Sequence, residues 1–146
     1  MDRGFEFLDH TADVLIKVWG ESIEAVFEEA AEAVFEIITD TSRVEPKVGT
    51  PINICGFDIE NLLYRWLEEM LYHHDSKNMV FSKFIVNKMY EINGEEKQIC
   101  IEGYIYGEEF QHNKHEPRTV VKAITYNEMR LWREKEKWYA TFVVDI

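Results

Sequence analysis

Apolar residues along this chain switch between two periods, and each switch predicts a new element. Val14, Ile16 and Val18 alternate with Leu15, Lys17 and Trp19, the two-residue period of a strand. Gly20 ends that strand, and a shorter one is predicted over Phe5 to Leu8. After Ser22 the period lengthens: Ile23, Val26, Phe27, Ala30, Ala33, Val34, Ile37 and Ile38 recur at spacings of three and four. They form one stripe of a helix whose wet side carries Glu24, Glu28, Glu29 and Glu32. Ser22 is a suitable N-cap because its hydroxyl can accept from an orphan N–H of the first turn. Thr39 to Lys47 reads as a loop, and Ile52 with Ile54 predicts a strand before Gly56. Asp58 then caps a second helix with the stripe Ile59, Leu62, Leu63, Trp66, Leu67, Met70 and Leu71.

Beyond Met79 the short period returns. Val80 to Ile92 is a strand, and Asn93-Gly94 is a strong hairpin signal. Ile99, Ile101, Gly103 and Ile105 alternate with Cys100, Glu102, Tyr104 and Tyr106 in the strand that follows. Gly107 to Arg118 reads as a polar loop of unusual length, a candidate contact loop. Thr119 to Trp132 and Trp138 to Ile146 close the chain as strands around a charged turn. The expectation is a single α+β domain over 1–146: a two-layer sandwich, mostly antiparallel β-sheet with two amphipathic helices packed on one face.

Charge narrows the partners. Asp and Glu number 28 against 16 Lys and Arg, for a formal charge of -12 spread along the chain. Phosphate binding draws its affinity from Lys and Arg, so no direct nucleic-acid binding is expected. The best basic stretch, Arg130-Leu131-Trp132-Arg133 with Lys135 and Lys137, is interleaved with Glu134 and Glu136 as a hairpin tip would be. An acidic surface can still serve nucleic-acid biology by docking on a basic protein. Cys55 and Cys100 each lie in an apolar run and are expected as buried, reduced thiols. Without a signal-peptide pattern or a span of membrane length, the protein is expected to be cytoplasmic, with no membrane partner.

Candidate chemistry concentrates near the ends. The run Phe142-Val143-Val144-Asp145-Ile146 brings the Asp145 side chain beside the α-carboxylate of Ile146. His10-Thr11-Ala12-Asp13 sets another carboxylate at the entrance to a strand. Were the two strands to meet, the three anionic groups would form an oxygen-ligand pocket for a hard cation. The bland alternative is that His10 caps a strand end and Asp13 makes an Asx-type turn. Lys122 sits in the apolar run Thr119 to Ile124, as a functional lysine or as a snorkelling edge lysine. His73-His74 at the end of the second helix suits the helix C-terminus better than chelation, since adjacent residues point about 100° apart. His112-x-x-His115 offers only two zinc ligands on a loop, a weak signal. No nucleophile elbow, P-loop or dinucleotide fingerprint can be written.

Taken together, Phe7-Leu8-Asp9-His10-Thr11-Ala12-Asp13, the Ser22-to-Thr39 helix, Asn61-Leu62-Leu63 to Trp66-Leu67, Val80-Phe81-Ser82, Val121-Lys122-Ala123-Ile124-Thr125-Tyr126 and the terminal Val144-Asp145-Ile146 resemble the archease family. The resemblance implies an accessory protein, not an enzyme, that promotes guanylylation and multiple turnover of the RtcB-type RNA ligase in tRNA splicing and RNA repair. It also implies a link to a tRNA cytosine methyltransferase as a chaperone-like modulator. The implied cofactor is a divalent metal, calcium first, at Asp13, Asp145 and Ile146. Lys122 falls on the family's functional lysine, and His10 joins it in partner activation. A metal-dependent phosphoester hydrolase using His10, Asp13 and Asp145, and a direct tRNA-binding chaperone, are the rivals.

Overall fold

A computed structural model describes residues 2–9 and 12–146, the side chain of Asp9 excepted. The elements follow the order β1 (Gly4–Asp9), β2 (Asp13–Gly20), α1 (Ile23–Ile38), a 3-10 turn (Thr41–Arg43), β3 (Val48–Gly56), α2 (Ile59–Lys77), β4 (Met79–Asn93), β5 (Lys97–Glu109), β6 (Ala123–Glu134) and β7 (Lys137–Asp145). Both caps form as expected: Ser22 Oγ accepts from the Ala25 N–H at 3.1 Å and Asp58 Oδ1 from the Asn61 N–H at 2.7 Å. Asn78, at φ 55°, ends α2 in the left-handed conformation that Asn tolerates.

The α+β expectation holds, with the strands divided into two antiparallel sheets ordered β1-β2-β7-β6 and β3-β5-β4. The helices join them. α1 packs on β2 of the first sheet and β4 of the second, while α2 packs on β6 and β3. Between the helices Trp66 is fully buried, and its Nε1–H donates to the Phe27 carbonyl at 3.0 Å. A buried indole needs such a partner, so Phe27 and Trp66 set the helix spacing through both packing and a hydrogen bond. Ile16, Val18, Phe142 and Val144 face this shared core from the first sheet.

Two glycines let the second sheet bend. The β4–β5 register shifts between Phe81 and Lys83 and again between Val86 and Lys88. Opposite these irregularities stand Gly107, paired with Phe81, and Gly103, paired with Val86. A Cβ on Gly107 would lie 1.9 Å from the Val80 carbonyl oxygen, and one on Gly103 2.2 Å from that of Ile85. Only a residue without a side chain permits that backbone approach.

Two boundaries, one strand register and one bond differ from expectation. β5 runs on to Glu109, so the loop begins after it rather than at Gly107. β6 starts at Ala123, leaving Thr119 to Lys122 outside the strand: the Thr119 N–H is drawn to the Ile37 carbonyl of α1 at 3.0 Å, and the Lys122 N–H makes the approach to β7 by donating to the Asp145 carbonyl at 2.7 Å. A wide irregularity between Thr125 and Arg130 then carries Tyr126 toward α2. Finally, Cys55 and Cys100 are not free thiols. They form a disulfide, because the β3–β5 register sets them directly opposite each other.

Candidate functional site

β2 and β7 lie side by side in the middle of the four-stranded sheet, and their register pairs Asp13 with Asp145. Directly opposed residues on antiparallel strands project to the same face with Cβ atoms about 5 Å apart. Alternation fixes which face. Ile16, Val18, Phe142 and Val144 point to the helices, so Asp13 and Asp145 point to the other side, with Leu15 and Val143. Two like charges placed opposite each other are unfavourable without a counter-charge. Among the described residues neither carboxylate makes an ion pair. Ile146 follows at the strand's end, about one-third exposed. The donor set is all hard oxygen, which suits calcium or magnesium and not zinc. Only two side-chain ligands meet here, and no cluster of three or more His, Cys, Asp or Glu occurs among the described residues.

Lys122 adjoins this pair in an unexpected way. Its backbone N–H holds the Asp145 carbonyl at 2.7 Å. Its side chain, one residue before Ala123, which pairs with Asp145, falls on the other face and lines a groove against α2. The lysine therefore fixes the backbone of one aspartate while its ammonium sits around the strand edge. His10 lies outside the described residues.

The loop histidines do not form a zinc site. His115 is fully buried, its Nδ1 accepts from the Gln111 N–H at 2.9 Å, and its Nε2–H therefore donates to Glu108 Oε2 at 2.9 Å. No lone pair remains for a metal. Glu108, which the sequence did not single out, is the centre of this cluster. It also accepts from the Glu45 N–H at 2.8 Å and from Lys114 Nζ at 2.8 Å. Burial pushes its carboxyl up, but these donors outweigh it and hold the group down to about 2. His74 has a structural task too: its ring Nδ1 lies 2.7 Å from the Met79 carbonyl, joining α2 to β4.

A third arrangement links α2 to β6. Asn61 Nδ2 donates to the Tyr126 hydroxyl at 2.5 Å, and the Tyr64 and Tyr126 rings stack with centroids 4.3 Å apart. Asn61 and Tyr126 both stood in the recognised segments, but nothing in their spacing foretold contact across 65 residues.

The described residues make an acidic α+β domain of two antiparallel sheets and two helices, with paired carboxylates at a strand end. Residues 5–146 match the model of the Archease protein family (MTH1598/TM1083). The chain belongs to the archease family. It is 51% identical to Protein archease of Sulfurisphaera tokodaii over 97% of this chain and 98% of the relative. The archease of Aeropyrum pernix is 46% identical over 98% and 97%. Among solved structures, Methanobacterium thermoautotrophicum protein 1598 superposes with a TM-score of 0.80 at 36% identity, covering 98% of this chain and 99% of that one. A Thermotoga maritima archease, described as a possible chaperone, shares the fold with a TM-score of 0.60 at 17% identity, over 95% and 94%.

Proposed function

We propose that this protein activates an RtcB-type RNA ligase as a non-catalytic accessory, and that Asp13, Asp145 and Ile146 are its working groups. The observation that carries the reading is the β2–β7 register, which sets two carboxylates face to face with no cation of the described chain between them. Such a pair costs stability, and a positive group that joins it relieves that cost. These three groups would hold a divalent cation, calcium first; when bound, it supplies charge neutralisation and a Lewis-acidic centre. The chain's own residues do the rest. The central position of β2 and β7 keeps both aspartates rigid, and the Lys122 N–H fixes the Asp145 carbonyl. Lys122, with its side chain in the groove just around the edge, is the residue beside the pair through which the ligase is engaged. The acidic surface favours encounter with a basic protein.

The test is multiple-turnover joining of RNA with a 2′,3′-cyclic phosphate end by the cognate ligase. Asp13→Asn, Asp145→Asn and deletion of Ile146 should each reduce turnover to that of the ligase alone. A calcium titration monitored by thermal unfolding should stabilise the wild type and leave Asp13→Asn unmoved. Full stimulation by all three variants would refute the assignment. A parallel methyl-transfer assay with a tRNA cytosine methyltransferase separates ligase activation from chaperone-like modulation.

A further inference from the structure

The groove that receives Lys122 has a second wall with its own chemistry. Tyr64, Glu68, Tyr72 and Asp75 recur along one side of α2 at spacings of four, four and three, which places them in one stripe. They line a groove of about 230 Å³ whose far wall is the segment entering β6. Rings and carboxylates alternate along the stripe, and the first pair is held in place. Tyr64 stacks on Tyr126, and its hydroxyl donates to Glu68 Oε2 at 2.9 Å. Glu68 thus has a fixed carboxylate with acceptor positions still open to solvent. Tyr72 is 59% exposed, an unusual cost for so large a ring. Asp75 is exposed and makes no ion pair among the described residues.

An exposed ring flanked along a helix by two carboxylates matches one cation closely. A guanidinium is planar and weakly hydrated, stacks on an aromatic face, and forks its N–H groups onto carboxylates. An ammonium matches less well, because it is compact and strongly hydrated. Phosphate or a nucleotide is disfavoured by two carboxylates against the one ammonium of Lys122, on a protein of net charge -12. Lys122 across the groove also repels a second cation, which favours a single arginine over a polybasic run. We propose that this groove holds one arginine side chain of the partner protein, its guanidinium stacked on Tyr72 and hydrogen-bonded to Glu68 and Asp75. The inference rests on the reading above that the protein works by docking on a basic partner, and it assigns the contact that orients that docking beside the aspartate pair.

Two measurements test it. In the first, binding of the full-length protein to the cognate ligase is measured calorimetrically. Tyr72→Ala and the pair Glu68→Gln with Asp75→Asn should each weaken it by about tenfold or more, as for loss of an anchoring charge-assisted contact. Unfolding midpoints should not change, because these side chains are exposed. Wild-type affinity in these variants overturns the proposal. In the second, NMR follows the Tyr64 and Tyr72 ring signals on titration with N-acetyl-arginine amide, N-acetyl-lysine amide or guanosine monophosphate. Saturable shifts with the arginine probe alone are expected. No shift with it, or a stronger response to the nucleotide, overturns the proposal. If the ligase does not bind the wild type at all, the docking reading fails, and the NMR titration alone decides the groove.

Discussion

Two clusters of charge in this molecule look alike in sequence and behave oppositely in space. Glu108, Lys114 and His115 sit around the long loop, and Asp13 and Asp145 sit at one end of the four-stranded sheet. In the first cluster every charge has a partner: Glu108 takes donors from Glu45, Lys114 and His115, and His115 uses both ring nitrogens. In the second, the register brings two carboxylates together without a described cation. A satisfied buried network holds a loop in place, whereas an unsatisfied pair at a rim is available to another molecule. Completeness of pairing, rather than the density of titratable residues, separates the scaffold cluster from the proposed site.

That contrast can be broken by opposite responses to mutation. The largest effect should be functional: Asp13→Asn or Asp145→Asn removes all stimulation of the ligase. Stability should rise by about 0.2–1 kcal/mol in urea unfolding, since like charges opposed across strands are relieved. A loss of stability instead would mean that the pair is structural. Glu108→Ala should do the reverse. It costs about 3–5 kcal/mol, the range for removing one partner of a buried ion pair, and leaves stimulation intact where the protein stays folded.

Next in size is the disulfide, which belongs to the same scaffold as the loop through β5. It closes a separation of 45 residues, so Cys55→Ala should lower stability by about 2–4 kcal/mol without changing stimulation. A comparable loss of activation would show that the two sheets are not independent in function.

Acid should separate the clusters further. The Glu108 carboxyl is depressed from 4.5 to about 2 in the folded protein, because its donors overcome the effect of burial. The folded state therefore binds fewer protons than the unfolded one in this window. Its stabilisation is complete above about pH 4.5 and fades as the pH falls toward 2. Glu108→Gln should flatten that part of the stability curve.

The smallest effect concerns Glu32, whose carboxyl is raised by burial and by the neighbouring carboxylates of Glu36 and Glu29, against a hydrogen bond from Thr41. Here the sign inverts: the folded state holds its proton more tightly, and stability declines as the pH rises above 4.5. Glu32→Gln should remove that decline in a pH series of urea unfolding curves, leaving ligase stimulation unchanged.

How much of this was legible beforehand varies by element. The helices were, because Ser22 and Asp58 are strong caps and each apolar stripe is continuous. The β4–β5 hairpin was signalled by Asn93-Gly94. The start of β6 was not, since Val120 to Lys122 reads as strand until the backbone of α1 claims the Thr119 N–H. Asp13, Asp145 and Lys122 could be nominated from their settings. That Lys122 would turn to the α2 side of the strand edge depended on one residue of register.

By itself the sequence determined the elements, the acidic character and the family, because periodicity, capping and local motifs are short-range properties. Tertiary structure decided the pairings: Asp13 against Asp145, Cys55 against Cys100, Glu108 with His115, and Asn61 with Tyr126. Each joins residues far apart in the chain or separated by a loop, through strand registers and helix packing that no local signal encodes. For such contacts the cost of closing the chain is repaid only when the whole core assembles.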